Sequence, residues 1–147
     1  IADSRWHVDQ FLAPTPVRVV VDLRGHDLTR DYPAAGLAED FTDGTLPQFL
    51  ERPGFNAALL KTMLEAATEQ ANAASQTLIA AAGAKATTAL TADLQRLVDL
   101  QKLNDHVRAE EIALAQAQLT HTTTAIAAPR LRLDALRLVV AGQGERD

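Results

Sequence analysis

The stretch between Pro53 and Pro129 constrains the fold most, because it contains no proline and its apolar residues recur at helical spacing. Its first part alternates steps of four and three residues, the pattern of one packed helix face. That seam consists of Leu60, Leu64, Ala67, Ala71, Ala74, Leu78 and Ala81 and, after a slip beside Gly83, of Ala86, Leu90, Leu94 and Leu97. A second seam follows at Ile112, Ala115, Leu119, Thr122 and Ile126. The sequence therefore predicts two long helices, the first with a bend at Gly83.

The segment between the two seams predicts a tight turn from one helix into the other. The flanking apolar residues have the spacing of a hydrophobic staple around a helix start at Arg108. Glu110 and Glu111 then fall in the first turn, where negative charge suits the helix dipole, and Pro129 ends the second helix. A first helix of about 45 residues is about 70 Å long, and a second of about 20 residues is about 30 Å long. We therefore expect an antiparallel hairpin over residues 55–128 whose second helix covers only the distal half of the first.

Both ends of the chain predict β-strands. Within residues 1–25, Pro14–Asp22 is rich in β-branched residues, and Trp6–Leu12 is a shorter second candidate. A closing strand is predicted over residues 130–141, with a bulge at Asp134–Ala135 where the apolar phase shifts. These strands would cover the apolar residues at the start of the first helix. The predicted fold class is α+β, a small antiparallel β-sheet packed on the base of a long two-helix antiparallel hairpin, as a single domain over residues 1–147.

The connection between the predicted strands and the hairpin, residues 26–54, reads as an acidic loop with a short helix near Leu46–Leu50. From Asp22 to Glu51 the chain carries −5, which equals the net charge of the whole chain. An acidic surface repels phosphate backbones and tolerates basic protein partners. The simpler interpretation is a loop kept polar by its contact with water.

The residues that could carry chemistry form no recognisable site. The chain has no cysteine, which excludes a disulfide, a thiolate zinc site and a cysteine nucleophile. The four histidines are scattered, and Gly83-Ala84-Lys85 lies inside a helical pattern, so it is not a phosphate-binding loop. No apolar run approaches the ~20 residues that a membrane span requires. We therefore predict no catalytic residues, no cofactor, no metal and no membrane contact, and hence a chain that is not itself an enzyme.

Three arginines near the predicted closing strand are the candidate interaction surface. Arg130 and Arg132 share a face of a regular strand, and a bulge at Asp134–Ala135 would bring Arg137 onto the same face. Such a face could bind nucleic acid. Alternatively, the arginines form ordinary surface ion pairs with Asp134 and the acidic loop.

Two segments carry a resemblance to a known family. P-T-P-V-R-V-V-V-D-L-R-G, Pro14 to Gly25, resembles the strand that opens the C-terminal domain of the RapA family of RNA-polymerase-associated SWI/SNF-type ATPases. R-L-D-A-L-R-L-V-V, Arg132 to Val140, is similar to the closing strand at that family's C-terminus. The order of acidic loop, long helix, short turn and second helix also matches. Leu131 stands where the family pattern implies a large aromatic residue, and the loop from Asp27 to Phe49 matches no part of that pattern.

The resemblance implies a role in transcription. RapA-type proteins are helicase-like translocases that bind RNA polymerase, hydrolyse ATP and help release the polymerase for reuse. Their nucleotide motifs, with ATP and Mg, belong to upstream lobes, so this chain is expected to be a C-terminal part of a longer protein in the bacterial cytoplasm, associated with the nucleoid through RNA polymerase. The expected partners are RNA polymerase and the ATPase lobes, with nucleic acid bound through the parent protein.

The sequence leaves three hypotheses about function. The first is a non-catalytic docking or regulatory domain of a polymerase-recycling ATPase. The second is a general helical-hairpin module for protein interaction or dimerisation, supported by the hairpin pattern alone. The third is direct binding of nucleic acid through Arg130, Arg132 and Arg137, which added salt would weaken steeply.

Overall fold

The structure, a computed structural model, describes residues 6–39 and 41–140. Its regular elements are a 3₁₀-helix (Val8–Gln10) and four α-helices: α1 (Ala34–Glu39), α2 (Leu46–Leu50), α3 (Ala57–Leu103) and α4 (Ala109–Ala127). α3 and α4 lie inside the range 55–128 in which the sequence predicts a helical hairpin. The short helix predicted near Leu46–Leu50 is α2, whereas α1 is a further helix in the acidic segment.

α3 has 47 residues, about 70 Å at 1.5 Å per residue, and it runs through Gly83 as one helix. Its start is capped by Asn56, whose side-chain oxygen accepts a hydrogen bond from the backbone N–H of Leu59 at 2.8 Å. At its other end the N–H of Asn104 still donates to the carbonyl of Leu100, and the Asn104 side chain accepts from the N–H of His106 at 2.9 Å. These local hydrogen bonds set the ends of the long helix.

α4 folds back along the distal half of α3, and the core lies between the two helices. Its first turn carries the predicted acidic pair. The most buried residues of the described chain are Ala82, Ala86, Leu90, Thr122 and Ile126. Alanine on α3 allows the backbones to approach closely, so one isoleucine fills the space between them. The hairpin is therefore held by a narrow seam of small residues.

The residues before the hairpin pack on it in two places. Val8, Phe11 and Leu12 lie against the core formed by Ala82, Ala86 and Ile126. The Trp6 indole stacks on the His121 imidazole of α4, with ring centroids 5.1 Å apart and planes 17° apart. The N-terminal segment thus crosses both helices of the hairpin.

Further along, residues 20–29 form the Gly25 turn, which lies against the first half of α3. Leu28 N–H donates to the Val20 carbonyl at 2.8 Å, and Asp22 N–H donates to the His26 carbonyl at 3.2 Å. The Gln70 side-chain amide donates to the Gly25 carbonyl at 3.2 Å. An added Cβ at Gly25 would lie 3.1 Å from the Ala66 Cβ, so the turn backbone packs directly on α3.

The predicted β-sheet is wrong: within residues 6–39 and 41–140 the structure has no β-strand, and it is helical rather than α+β. Pairing in the Gly25 turn stops at the single bridge between Val21 and Asp27. The ladder cannot extend because Val20 N–H donates to the Thr29 hydroxyl at 3.0 Å instead of to a backbone carbonyl. Pro14 and Pro16 supply no N–H earlier in the segment.

The other two predicted strands are also wrong. Trp6–Leu12 contains a 3₁₀-helix, because apolar residues there pack on the hairpin and not across a sheet. Residues 130–140 have no regular secondary structure, and the end of the predicted range at 141 lies outside the described residues. This segment gains its apolar character mainly from leucine, which favours strands less than β-branched residues do.

Candidate interaction surfaces

The three predicted arginines lie on the segment that follows α4. Arg130, Arg132 and Arg137 are all exposed. Because the segment forms no strand, the single face that a bulged strand would give them is not formed. Arg137 instead approaches the acidic segment, with its Nη2 atom 3.8 Å from Asp43 Oδ1. Both partners are exposed, so water and salt screen this pair and it contributes little to stability. The geometry thus brings Arg137 to the acidic segment.

The same segment exposes an apolar surface. Leu131, Leu133 and Leu136 are 44%, 66% and 52% exposed, in a stretch that the sequence predicted to be half-buried in a sheet. Val139 and Val140 are also exposed. Ordinary surfaces carry scattered apolar residues, but several within one short segment form a surface on which another protein can pack.

The Gly25 turn carries two carboxylates, Asp22 and Asp27, whose pKa values are lowered. One oxygen of Asp22 accepts the backbone N–H groups of His26 and Arg24 at 2.9 and 2.8 Å, and the other lies 2.9 Å from His26 Nδ1. The hydrogen bond from the His26 backbone is the largest of the causes that hold the pKa of Asp22 below its ordinary value. The hydroxyl and backbone N–H of Thr29 likewise lower the pKa of Asp27. The hydrogen bonds to these two carboxylates hold the turn together, because their donors and acceptors all lie within it.

The distal end of the hairpin exposes three leucines of the two long helices. Leu103, the last residue of α3, is 87% exposed, Leu114 on α4 is 63% exposed and Leu100 is 44% exposed. We call these residues the tip leucines (Leu100, Leu103 and Leu114); none of them is among the site residues predicted from the sequence. They lie outside both helical seams, and large apolar residues off a seam are the signal that could have revealed them.

The described residues contain no group of histidine and acidic side chains able to hold a metal ion. Within that same part of the chain, no helix has the length and apolar character needed to cross a membrane.

The geometry is that of a helical-hairpin domain, with the N-terminal segment packed near the middle of the first helix and the Gly25 turn packed on its first half. Comparison with known sequences assigns the family. A sequence model described as "RNA polymerase recycling family C-terminal" matches residues 1–141. The chain belongs to this family and corresponds to the C-terminal domain of RapA, which confirms the resemblance carried by Pro14–Gly25 and Arg132–Val140.

Curated relatives agree with this assignment. The chain is 29% identical over 142 residues to the RNA polymerase-associated protein RapA of Actinobacillus pleuropneumoniae serotype 3 (strain JL03). The RapA proteins of serotype 7 (strain AP76) and serotype 5b (strain L20) are 29% and 28% identical over the same length. Each match covers 97% of this chain and 15% of the relative. The chain thus spans about 15% of the length of these relatives. No solved structure matches it.

Proposed function

We propose that this chain is a non-catalytic docking or regulatory domain of an RNA-polymerase-associated, ATP-dependent translocase that recycles the polymerase during transcription. The observation that carries the proposal is the family match across residues 1–141. ATP and Mg would bind in other parts of the longer protein, and this domain would position or restrain that motor. Its partners would be RNA polymerase and the ATPase lobes, in the bacterial cytoplasm and at the nucleoid where the polymerase acts.

The architecture supports a mechanical role of this kind. A single helix of 47 residues extends beyond the reach of its 19-residue partner, so one end of the molecule is a hairpin and the other carries the Gly25 turn. A rigid element of about 70 Å can contact two bodies at once, one near each end. Exposed leucines occur at both ends, at Leu23 in the turn and at the tip leucines.

Titration of the 147-residue chain against core RNA polymerase tests the proposal, with duplex DNA and single-stranded RNA as parallel ligands. We expect saturable binding to the polymerase and no ATP hydrolysis by the chain alone. Binding to neither polymerase nor nucleic acid would contradict the polymerase as a direct partner. A concentration-dependent dimer with no affinity for polymerase would favour the general dimerisation module instead.

Direct nucleic-acid binding is the second candidate, because Arg130 and Arg132 are exposed on the segment that follows α4. If it holds, the triple variant Arg130→Ala, Arg132→Ala, Arg137→Ala should lose nucleic-acid affinity. The unaltered chain should also lose affinity steeply with added salt, since each phosphate contact releases condensed counterions. If the nucleic-acid affinity changes neither with the substitutions nor with the salt concentration, these arginines do not form the binding site.

A further inference from the structure

The tip leucines lie on one side of the hairpin. Leu100 is eighteen residues, or five helical turns, beyond Ala82, so the two lie in line along α3. Leu114 precedes His121 by seven residues, about two turns of α4, and so shares its face. Ala82 contacts the N-terminal segment and His121 stacks on Trp6 of that segment. Leu100 and Leu114 therefore continue, toward the tip, the face on which the N-terminal segment already packs.

Leu103 extends this surface to the end of the helix. It follows Leu100 by three residues, which makes the two neighbours on the helix surface. At 87% exposure it contacts almost nothing in the described chain. The hairpin core lies further back, between Ala82 and Leu90 on α3, and the tip leucines are not among its buried residues. Their apolar surface is available to another molecule.

The charges around the tip restrict what that molecule can be. From Leu103 to Glu111 the chain carries Asp105, Glu110 and Glu111 against Arg108. The nearest further cation, Lys102, lies 3.5 Å from Asp99 on its own helix. The tip is therefore apolar in the middle and acidic at its edge. An acidic edge repels nucleic-acid phosphates, and it would meet like charge in a symmetric tip-to-tip dimer.

We propose that the tip leucines anchor the hairpin in an apolar hollow of a protein partner whose rim carries lysine or arginine. This inference rests on the proposed function and deepens it: the partner is RNA polymerase, and the tip is the surface of this chain that meets it. Buried apolar anchors supply most of the affinity in such an interface, and complementary charge at the rim raises the association rate.

The test compares leucines of similar exposure at different places. Leu103→Ser combined with Leu114→Ser removes the anchors, and Leu46→Ser combined with Leu50→Ser on α2 is the control, since those leucines are 61% and 54% exposed. Each chain is titrated against core RNA polymerase after circular dichroism shows equal helicity. We expect the tip variant to bind about tenfold or more weakly and the control to bind within about twofold of the unaltered chain.

A second variant tests the acidic edge without touching the leucines. Glu110→Gln combined with Glu111→Gln should slow association with the polymerase severalfold at low salt and have less effect at high salt, because rim charges act through long-range attraction. Equal affinity of the unaltered chain and the tip variant would overturn the inference while leaving the proposed function intact. Failure of the unaltered chain to bind the polymerase would overturn both, and faster association after removal of the glutamates would exclude a basic rim.

Discussion

Gly25 combines two demands that only glycine meets. Its φ of +80° lies in the left-handed region, and a Cβ there would lie 3.1 Å from the Ala66 Cβ of α3. The left-handed conformation costs a residue with a Cβ about 1–2 kcal/mol. We expect Gly25→Ala to lower the free energy of unfolding by that amount plus the cost of moving the turn away from α3, measured by urea denaturation.

Gly54 provides the control for this substitution. Its φ is +85°, yet no atom lies within 4 Å of the position that its Cβ would occupy. Gly54→Ala should therefore show the conformational cost alone, and the difference between the two variants measures the close approach to Ala66. Equal losses in both would mean that the turn shifts freely on α3, contrary to the packing described above.

Asp22 gives the Gly25 turn a dependence on pH. Its pKa lies below the ordinary value of 3.8, chiefly through the hydrogen bond from the His26 backbone. A carboxylate with a lowered folded-state pKa stabilises the fold fully above its unfolded-state pKa, and this contribution is lost as the pH falls through the folded value. The NMR signals of the Arg24 and His26 amides should therefore titrate in acid with a midpoint below the ordinary value of 3.8, and Asp22→Asn should remove that titration.

Salt separates the causes of this shift. Because backbone hydrogen bonds dominate over the charge of His26, the midpoint of the Asp22 titration should stay below the ordinary value of 3.8 in about 1 M salt, where the Debye length is about 3 Å. A return of the titration to the ordinary value in high salt would show that long-range charge, and not the turn geometry, lowers the pKa.

At the scale of elements, Gly83 weakens the long helix at the point where α4 crosses it. Glycine inside a helix costs about 1 kcal/mol relative to alanine. A Cβ at Gly83 would lie 3.9 Å from Ile126 Cγ2, an ordinary packing distance. We expect Gly83→Ala to raise the free energy of unfolding by about 1 kcal/mol in urea denaturation. Ala84→Gly, at an exposed neighbouring position, should lower the free energy of unfolding by a similar amount. A lower free energy of unfolding for Gly83→Ala would mean that the helices pack more closely there than this distance allows.

Thr122 places an unmatched polar atom in the hairpin seam. It is fully buried, and its Oγ1 has no hydrogen-bond partner among the described residues. Replacing the hydroxyl with a methyl group removes the cost of burying it, so Thr122→Val should raise the free energy of unfolding by about 1 kcal/mol. Thr124→Val is the control, because the exposed Thr124 hydroxyl donates to the Thr120 carbonyl at 2.8 Å. A lower stability of Thr122→Val would mean that the hydroxyl is hydrogen-bonded in solution.

The elements differ in how far the sequence alone specifies them. Helical periodicity is local, so the apolar seams were enough to predict two helices joined near Arg108. A strand needs a partner, and the β-branched run at Val17–Val21 pairs only once because the Thr29 hydroxyl takes the next donor. Contacts between distant residues, such as Trp6 with His121, leave no periodic signal. The tip leucines are marked in the sequence only by their position off the seams, and not by charge or by catalytic chemistry.

At the scale of the whole molecule, the N-terminal segment and the hairpin should unfold as one unit. Trp6 is the only tryptophan of the chain, so its fluorescence reports the N-terminal segment, whereas far-ultraviolet circular dichroism reports mainly α3 and α4. Because Val8, Phe11 and Leu12 pack on the hairpin core, releasing them would expose Ala82 and Ile126 to water. We expect the two probes to give the same midpoint in urea, as two-state unfolding requires.

His121→Ala supplies the check on this coupling. Removing the stacked imidazole should lower the free energy of unfolding by about 0.5–1.5 kcal/mol, and in a single cooperative unit both probes must shift to the same lower midpoint. If the fluorescence transition moved alone, the N-terminal segment would detach while the hairpin stayed folded. In the detached state the exposed face would extend from Leu100 and Leu114 back over the positions that the N-terminal segment covers. The N-terminal segment would then compete with any partner that binds there. Coincident transitions instead make that segment a permanent part of the hairpin and leave the tip leucines as the exposed part of this face.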